Sequence, residues 1–129
     1  MATYVIEGSR VTDIASFYSE LDRLVMADED WTLGASLDAL DDLLYGGIGA
    51  LVGDHAVVFE WADSEQSRDA LGVEATAAWL RGKLDRPDMF SIALLRAQLA
   101  DLEAGLGKTY FELILDVFAD HPAVTLVLR

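Results

Sequence analysis

Apolar and polar positions change period several times along this chain, and each change predicts an element. Thr3-Tyr4-Val5-Ile6 is a β-branched and aromatic run closed by Glu7-Gly8, the pattern of a first strand. Thr12 or Asp13 then caps a segment in which Ile14, Phe17, Leu21 and Leu24 recur at helical spacing. Ala27 to Ala35 is a loop rich in Asp and Glu that carries Trp31 and Gly34. Ser36 is a good N-cap for a second helix, with Leu37, Leu40 and Leu44 on one side, Leu43 flanking them, and Gly46-Gly47 as its expected end. Ala56-Val57-Val58-Phe59 and Val124-Thr125-Leu126-Val127-Leu128 are continuously apolar or β-branched, as in strands buried on both faces of a parallel sheet. Between them lie three helical runs: Ser64 to about Arg86, Phe90 to about Gly105, and Thr109 to about Asp120. Pro87 separates the first two and Gly105-Leu106-Gly107 the last two, and Ile92, Leu95, Leu99 and Leu102 form a stripe in the middle run.

Three strands separated by helices predict an α/β fold, a three-stranded parallel sheet packed with helices through right-handed crossovers. At 129 residues the chain suits a single domain, 1–129, with a sizeable core. Hydrophobic residues make up 53% of it and only two prolines occur, which argues against disorder. With no cysteine, disulfides and cysteine-ligated metals are excluded. The start, MATYVIEGSR, lacks the basic and apolar regions of a secretory signal. Leu43 to Gly53, the most apolar stretch, is broken by glycines and is shorter than the ~20 residues of a membrane helix. The expected address is the cytoplasm.

Charge sharpens the picture. There are 23 acidic residues against 9 Lys and Arg, a net charge of −14. Nucleic acid and anionic membranes repel such a chain, and its electrostatic complement is a basic partner. The acidity concentrates in the second helix. Asp38 and Asp42 are four residues apart and neighbours on one side, with Asp41 and Tyr45 at its edges. Asp38 falls in the first turn, where the helix dipole favours a negative charge; Asp42 has no such help. Three readings follow from the residues alone. One is a solvated helix face. Another is a stiff anionic ridge that docks on a cationic surface, extended by Asp28-Glu29-Asp30 and by the flat contact of Trp31. The third is a carboxylate site for acid–base or metal chemistry. No glycine-rich phosphate loop, GxSxG elbow or HExxH motif is present, and His55 and His121 each stand alone beside a strand. The residues therefore point to no catalytic group, metal or cofactor.

The stretch Gly34-x-Ser36-Leu37-Asp38-Ala39-Leu40-x-Asp42 resembles the inhibitory loop and helix of the barstar family, intracellular inhibitors of guanyl-type ribonucleases. An opening strand with Val5-Ile6-x-Gly8, a strand ending Val58-Phe59-Glu60-Trp61 before Ser64-Glu65-Gln66-Ser67, and a last helix with Val117-Phe118 before a terminal strand follow the same order. The likeness covers roughly the first 68 residues and the last 20. It implies a binding protein and no enzyme: an inhibitor or immunity protein whose loop and helix plug a ribonuclease active site, carboxylates standing in for RNA phosphates. By motif position, Asp42 would be the deepest plug and Asp38 would pair with an arginine at the mouth. Gly34 and Ser36 would supply close contacts from the loop, Asp120, after Val117-Phe118, would act as a second-line acid, and Trp31, Thr32, Leu33, Asp41, Tyr45 and Val117 would complete the partner-binding surface.

Departures from the family pattern are informative. Its two loop tyrosines align with Thr32 and Leu33, with Trp31 available as a substitute aromatic. Asp41 replaces a helix tryptophan, and Tyr45 and Gly47 replace a threonine and an interfacial tryptophan. These changes imply a target related to, but distinct from, the familiar ribonuclease. About 40 extra residues near Arg68 to Lys108 (about 69–107) are expected to add one or two helices covering the sheet, with Trp79 and the Ile92–Leu102 stripe as their core; their alternative role is extra contact with the partner. The rivals to ribonuclease inhibition are a module of the same fold that captures another basic protein, and a carboxylate-based metal enzyme.

Overall fold

The computed structural model describes residues 2–46, 56–86 and 91–129. Within them the chain is α/β: β1 (Ala2–Glu7), a 3-10 turn (Gly8–Arg10), α1 (Ile14–Val25), α2 (Leu37–Leu44), β2 (Val57–Ala62), α3 (Ser64–Ala70), α4 (Val73–Leu84), α5 (Ile92–Glu103), α6 (Tyr110–Ala119) and β3 (Val124–Leu128). The strands form one parallel sheet in the order β1-β2-β3. Gly47, His55, Pro87 and Phe90 lie outside the described residues.

Register explains the core. Tyr4, Phe59 and Leu126 align across the sheet, as do Ile6 and Trp61, and this face carries the helices. Phe17 of α1 stacks on Trp61 at 5.3 Å, Phe111 of α6 tilts against Trp61 at 5.0 Å, and Phe118 meets Phe59 edge-on at 5.5 Å. The opposite face is open. Val5 is 42% exposed, Thr3 and Thr125 are exposed, and Val58, Glu60 and Val127 are half-buried. The strands are thus buried on one face, not two. An apolar run fits either arrangement, because β-branched side chains favour a strand whether or not a second layer covers it.

The strand ends are tied together by the residues that carried the sequence resemblance. Trp61 Nε1 donates to Ser67 Oγ (2.9 Å), whose hydroxyl donates to the Gly8 carbonyl (3.2 Å). Ser64 donates through its amide and its hydroxyl to the Arg129 carbonyl, both at 2.9 Å. Gly8 is required here by close approach, since a Cβ at that position would lie 2.3 Å from the Ala62 carbonyl oxygen.

The run from Ser64 to Arg86 is two helices, not one. Leu71 turns in to be fully buried, its carbonyl accepts the Phe111 amide, and Gly72 caps α4. The extra segment forms a hairpin, α5 on α4, with Ala77, Leu80, Leu95 and Leu102 as a small core of its own. Its main tertiary seat is α6, not the sheet, and Ile92 at the start of the stripe is 39% exposed. The link is polar as well as apolar. Thr76 Oγ1 accepts the Tyr110 amide (2.7 Å) and donates to the Gly72 carbonyl (2.7 Å), and Trp79 meets Tyr110 edge-on at 4.9 Å.

Glu20 fastens α1 to the end of β1. Its buried carboxylate accepts from the Glu7 amide (2.7 Å) and from Arg23 Nε and Nη2 (2.6 and 2.8 Å). Burial works against its charge, but the bonds from Arg23 and Glu7 outweigh burial and hold the pKa below the usual carboxylate value. A lowered carboxylate pKa contributes stability above the unfolded value, near 4.3, that is lost as pH falls through the folded one. Acid acts oppositely on the solvated acids, whose protonation relieves the repulsion of a chain with net charge −14. Glu20→Gln is therefore expected to cost about 1–3 kcal/mol at neutral pH. In paired thermal melts the gap to the native chain should close below about pH 4.3; a gap independent of pH would refute the assignment.

Candidate protein-binding surface

Helix α2 is short, and its orientation is set on two sides. Ser36 caps it, Oγ accepting the Ala39 amide at 3.1 Å, and Gly46, with φ 82°, follows its last turn. Leu40, Leu43 and Leu44 enter the main core and Leu37 packs partly against it, with α6 as the neighbouring helix. On the second side, Asp41 Oδ1 lies 2.6 Å from Nε2 of His121, a buried residue in the turn between α6 and β3 whose ring N–H donates to the carboxylate. Tyr45 sets its ring edge-on to His121 at 4.6 Å while remaining 75% exposed.

With Asp41 turned toward α6, Asp38 and Asp42 point to solvent. Asp38 sits in the first turn, favourable to its charge. Asp42 sits near the carboxyl end of the helix, where the dipole disfavours an anion, and among the described residues no ion pair or hydrogen bond reaches its carboxylate. Six of the nine Lys and Arg are engaged elsewhere. Arg10, Arg23, Arg68, Arg81, Lys108 and Arg129 each pair with a carboxylate outside α2 and its loop. Lys83, near the end of α4, stacks on the Trp79 ring at 3.8 Å. Burial and the charge of Arg86 push its pKa down, and Asp38 counters them in part, so the hairpin brings one cation into the field of α2.

The loop divides into an exposed arm and an anchor. Asp28, Glu29, Asp30, Trp31 (48% exposed) and Thr32 face solvent. Leu33, expected at the partner surface, is instead buried in the core, its amide donating to Asp22 Oδ1 at 2.7 Å. Gly34 is exposed, and a Cβ there would meet only Ala39 Cβ at an ordinary 3.8 Å, so the fold itself does not require glycine. Ser36 is engaged in capping first. At the end of α6, Asp120 is exposed, while Val117, also expected at the surface, is half-buried against the core.

The structure thus brings Asp38, Asp42 and Tyr45 together on one exposed helix, follows the acidic arm and Gly34 into it, and sets Asp120 beside His121 at the end of the adjoining helix. It buries Leu33, half-buries Val117 against the core and ties Asp41, whose side chain stays 40% exposed, to His121. Among the described residues no three His, Asp or Glu side chains group as metal ligands, and no helix is long and apolar enough to cross a membrane. No family model and no curated protein sequence matches the chain.

The role given to Asp41 separates it from its neighbours in stability. Asp41→Ala should lower stability by about 1–2 kcal/mol, because it strips a buried imidazole of its partner. Asp38→Ala and Asp42→Ala should change it by no more than about 0.5 kcal/mol, since each relieves a like-charge neighbour. Denaturant titration of the three variants distinguishes this ranking from equal effects, which would contradict it.

Proposed function

We propose that this chain is a barstar-like inhibitor or immunity protein. It acts in the cytoplasm by occluding the basic active site of a ribonuclease toxin, with α2 and its preceding loop as a phosphate mimic. One observation carries the reading. Asp42 is an exposed carboxylate at the unfavourable end of a helix whose other acids are compensated, by position for Asp38 and by His121 for Asp41. A charge kept where the fold gains nothing from it is accounted for by an external cation. The active site of a ribonuclease presents such cations, and an arginine engages a carboxylate bidentately.

The work is binding, without turnover. The net charge of −14 accelerates encounter with a basic partner, and burial of Asp42 among guanidinium groups slows release. Asp38 acts at the mouth and Trp31 supplies flat apolar contact. The burial of Leu33 and the engagement of Asp41 by His121 leave this surface without two of the contacts that the family pattern would place there. The target accordingly differs from the familiar ribonuclease.

Asp42→Ala should weaken inhibition of a basic guanyl-specific ribonuclease by at least about 30-fold, the loss typical of a hot spot. Asp41→Ala, corrected for its folding cost, should change inhibition by less than about 5-fold. The association rate should fall steeply between low and physiological salt. Equal small effects with a flat salt profile would refute this orientation of α2.

Gly34 provides a separate check. Because a Cβ fits, Gly34→Ala should leave folding stability unchanged or raise it by up to about 1 kcal/mol. It should nonetheless weaken binding if a partner backbone approaches there. Melting and inhibition measured on the one variant decide the point; undiminished inhibition would remove Gly34 from the interface.

A further inference from the structure

Trp79 is half-buried, packs against both hydrophobic cores and lines two hollows. On one side it lines a cavity of about 280 Å³ with Thr76, Leu80 and Lys83. On the other it forms the end of an open groove of about 450 Å³ between the start of α1, the loop before α2, and α4. Asp13, Ala15, Ala35, Ala75 and Ala78 line that groove with it. We propose that this groove is a second contact surface for the basic protein that α2 engages, receiving an arginine side chain against Trp79 beside Asp13. The inference rests on the reading of α2 as the docking helix and adds the hairpin to the surface that recognises the partner.

Four features of the groove support one occupant. It is continuous with the proposed interface, because Ala35 lies in the chain between Gly34 and the cap Ser36. Among the described residues Asp13 is the one charged residue lining it, and the exposed Glu74 precedes Ala75 on the same helix. Hydrogen bonds from Ser16 hold the Asp13 carboxyl below its usual pKa, so it stays anionic. The alanines leave space beside the half-buried Trp79 indole, which Lys83 approaches at 3.8 Å from the ring centroid and which lines the cavity shared with Lys83 as well as this groove. A guanidinium is planar, stacks on aromatic rings and forks onto a carboxylate, so it uses both groups at once. The walls are firm, since α4 is joined to α6 through Thr76 and to α5 through its leucines, and α1 is capped by Asp13 itself.

The test uses the exposed Ala78, where a long side chain fills the groove without entering the core. Ala78→Arg and Ala78→Glu are of comparable reach and opposite charge, and melting curves matching the native chain would show both folded. Against a basic guanyl-specific ribonuclease, Ala78→Arg should weaken binding at least about tenfold through like-charge juxtaposition, with Ala78→Glu within about 2-fold of native or tighter. Native binding by Ala78→Arg while Asp42→Ala binds weakly would overturn the groove and leave the α2 reading standing. Equal loss in both Ala78 variants would overturn the arginine as occupant. Failure of the native chain to bind this ribonuclease would overturn both readings together.

Discussion

The contact between Asp41 and His121 decides which way α2 presents itself. Three leucines alone would seat the helix against the core, but a short apolar stripe tolerates rotation about the axis. A carboxylate bonded at 2.6 Å to a buried imidazole does not. Once Asp41 is committed to the turn after α6, Asp38 and Asp42 have no course but outward, and Tyr45 is held over the same imidazole. The exposed face of α2 is therefore a consequence of packing between α2 and α6. The capping boxes of α1 and α6 and the buried Trp61–Ser67–Gly8 chain make the support for it stiff.

Charge is arranged with the same economy. Ion pairs at Glu7, Glu20, Glu60, Glu65, Glu103 and Asp116 use six of the nine Lys and Arg away from α2. Apart from the pair at the buried Glu20, these are exposed and contribute little stability individually. Their effect on α2 is indirect: these six cations are committed to carboxylates outside α2 and its loop. Lys83 is the exception, a cation drawn toward Asp38 by the extra hairpin, and it tempers the mouth of the surface while Asp42 stays uncompensated.

Much of this was legible in local pattern. The caps at Asp13, Ser36 and Thr109, the stripes of α1 and α2, and the β-branched runs of β1 and β3 report their own conformation within a few residues. What failed to show were choices made by distant partners. Asp41 meets a histidine 80 positions away, so an acid on a polar helix face read as a partner contact. Leu33 follows an acidic, aromatic loop, and only its amide bond to Asp22 reveals that it turns inward. Leu71-Gly72 looked like the middle of a helix until Phe111 of α6 claimed the Leu71 carbonyl. Val58 and Val127 suggested a covered second face, yet they lie with Val5 on the open side of the sheet.

Docking through α2, as proposed, predicts a contiguous footprint on one side of the molecule. Amide chemical-shift mapping of the labelled chain, titrated with a basic guanyl-specific ribonuclease, tests that most directly. Perturbations should fall on the acidic arm from Asp28 to Thr32, on Gly34 to Ser36, and on Asp38 and Asp42. Shifts confined to Thr3, Val5, Thr125 and Val127 on the open sheet face, with α2 silent, would contradict it.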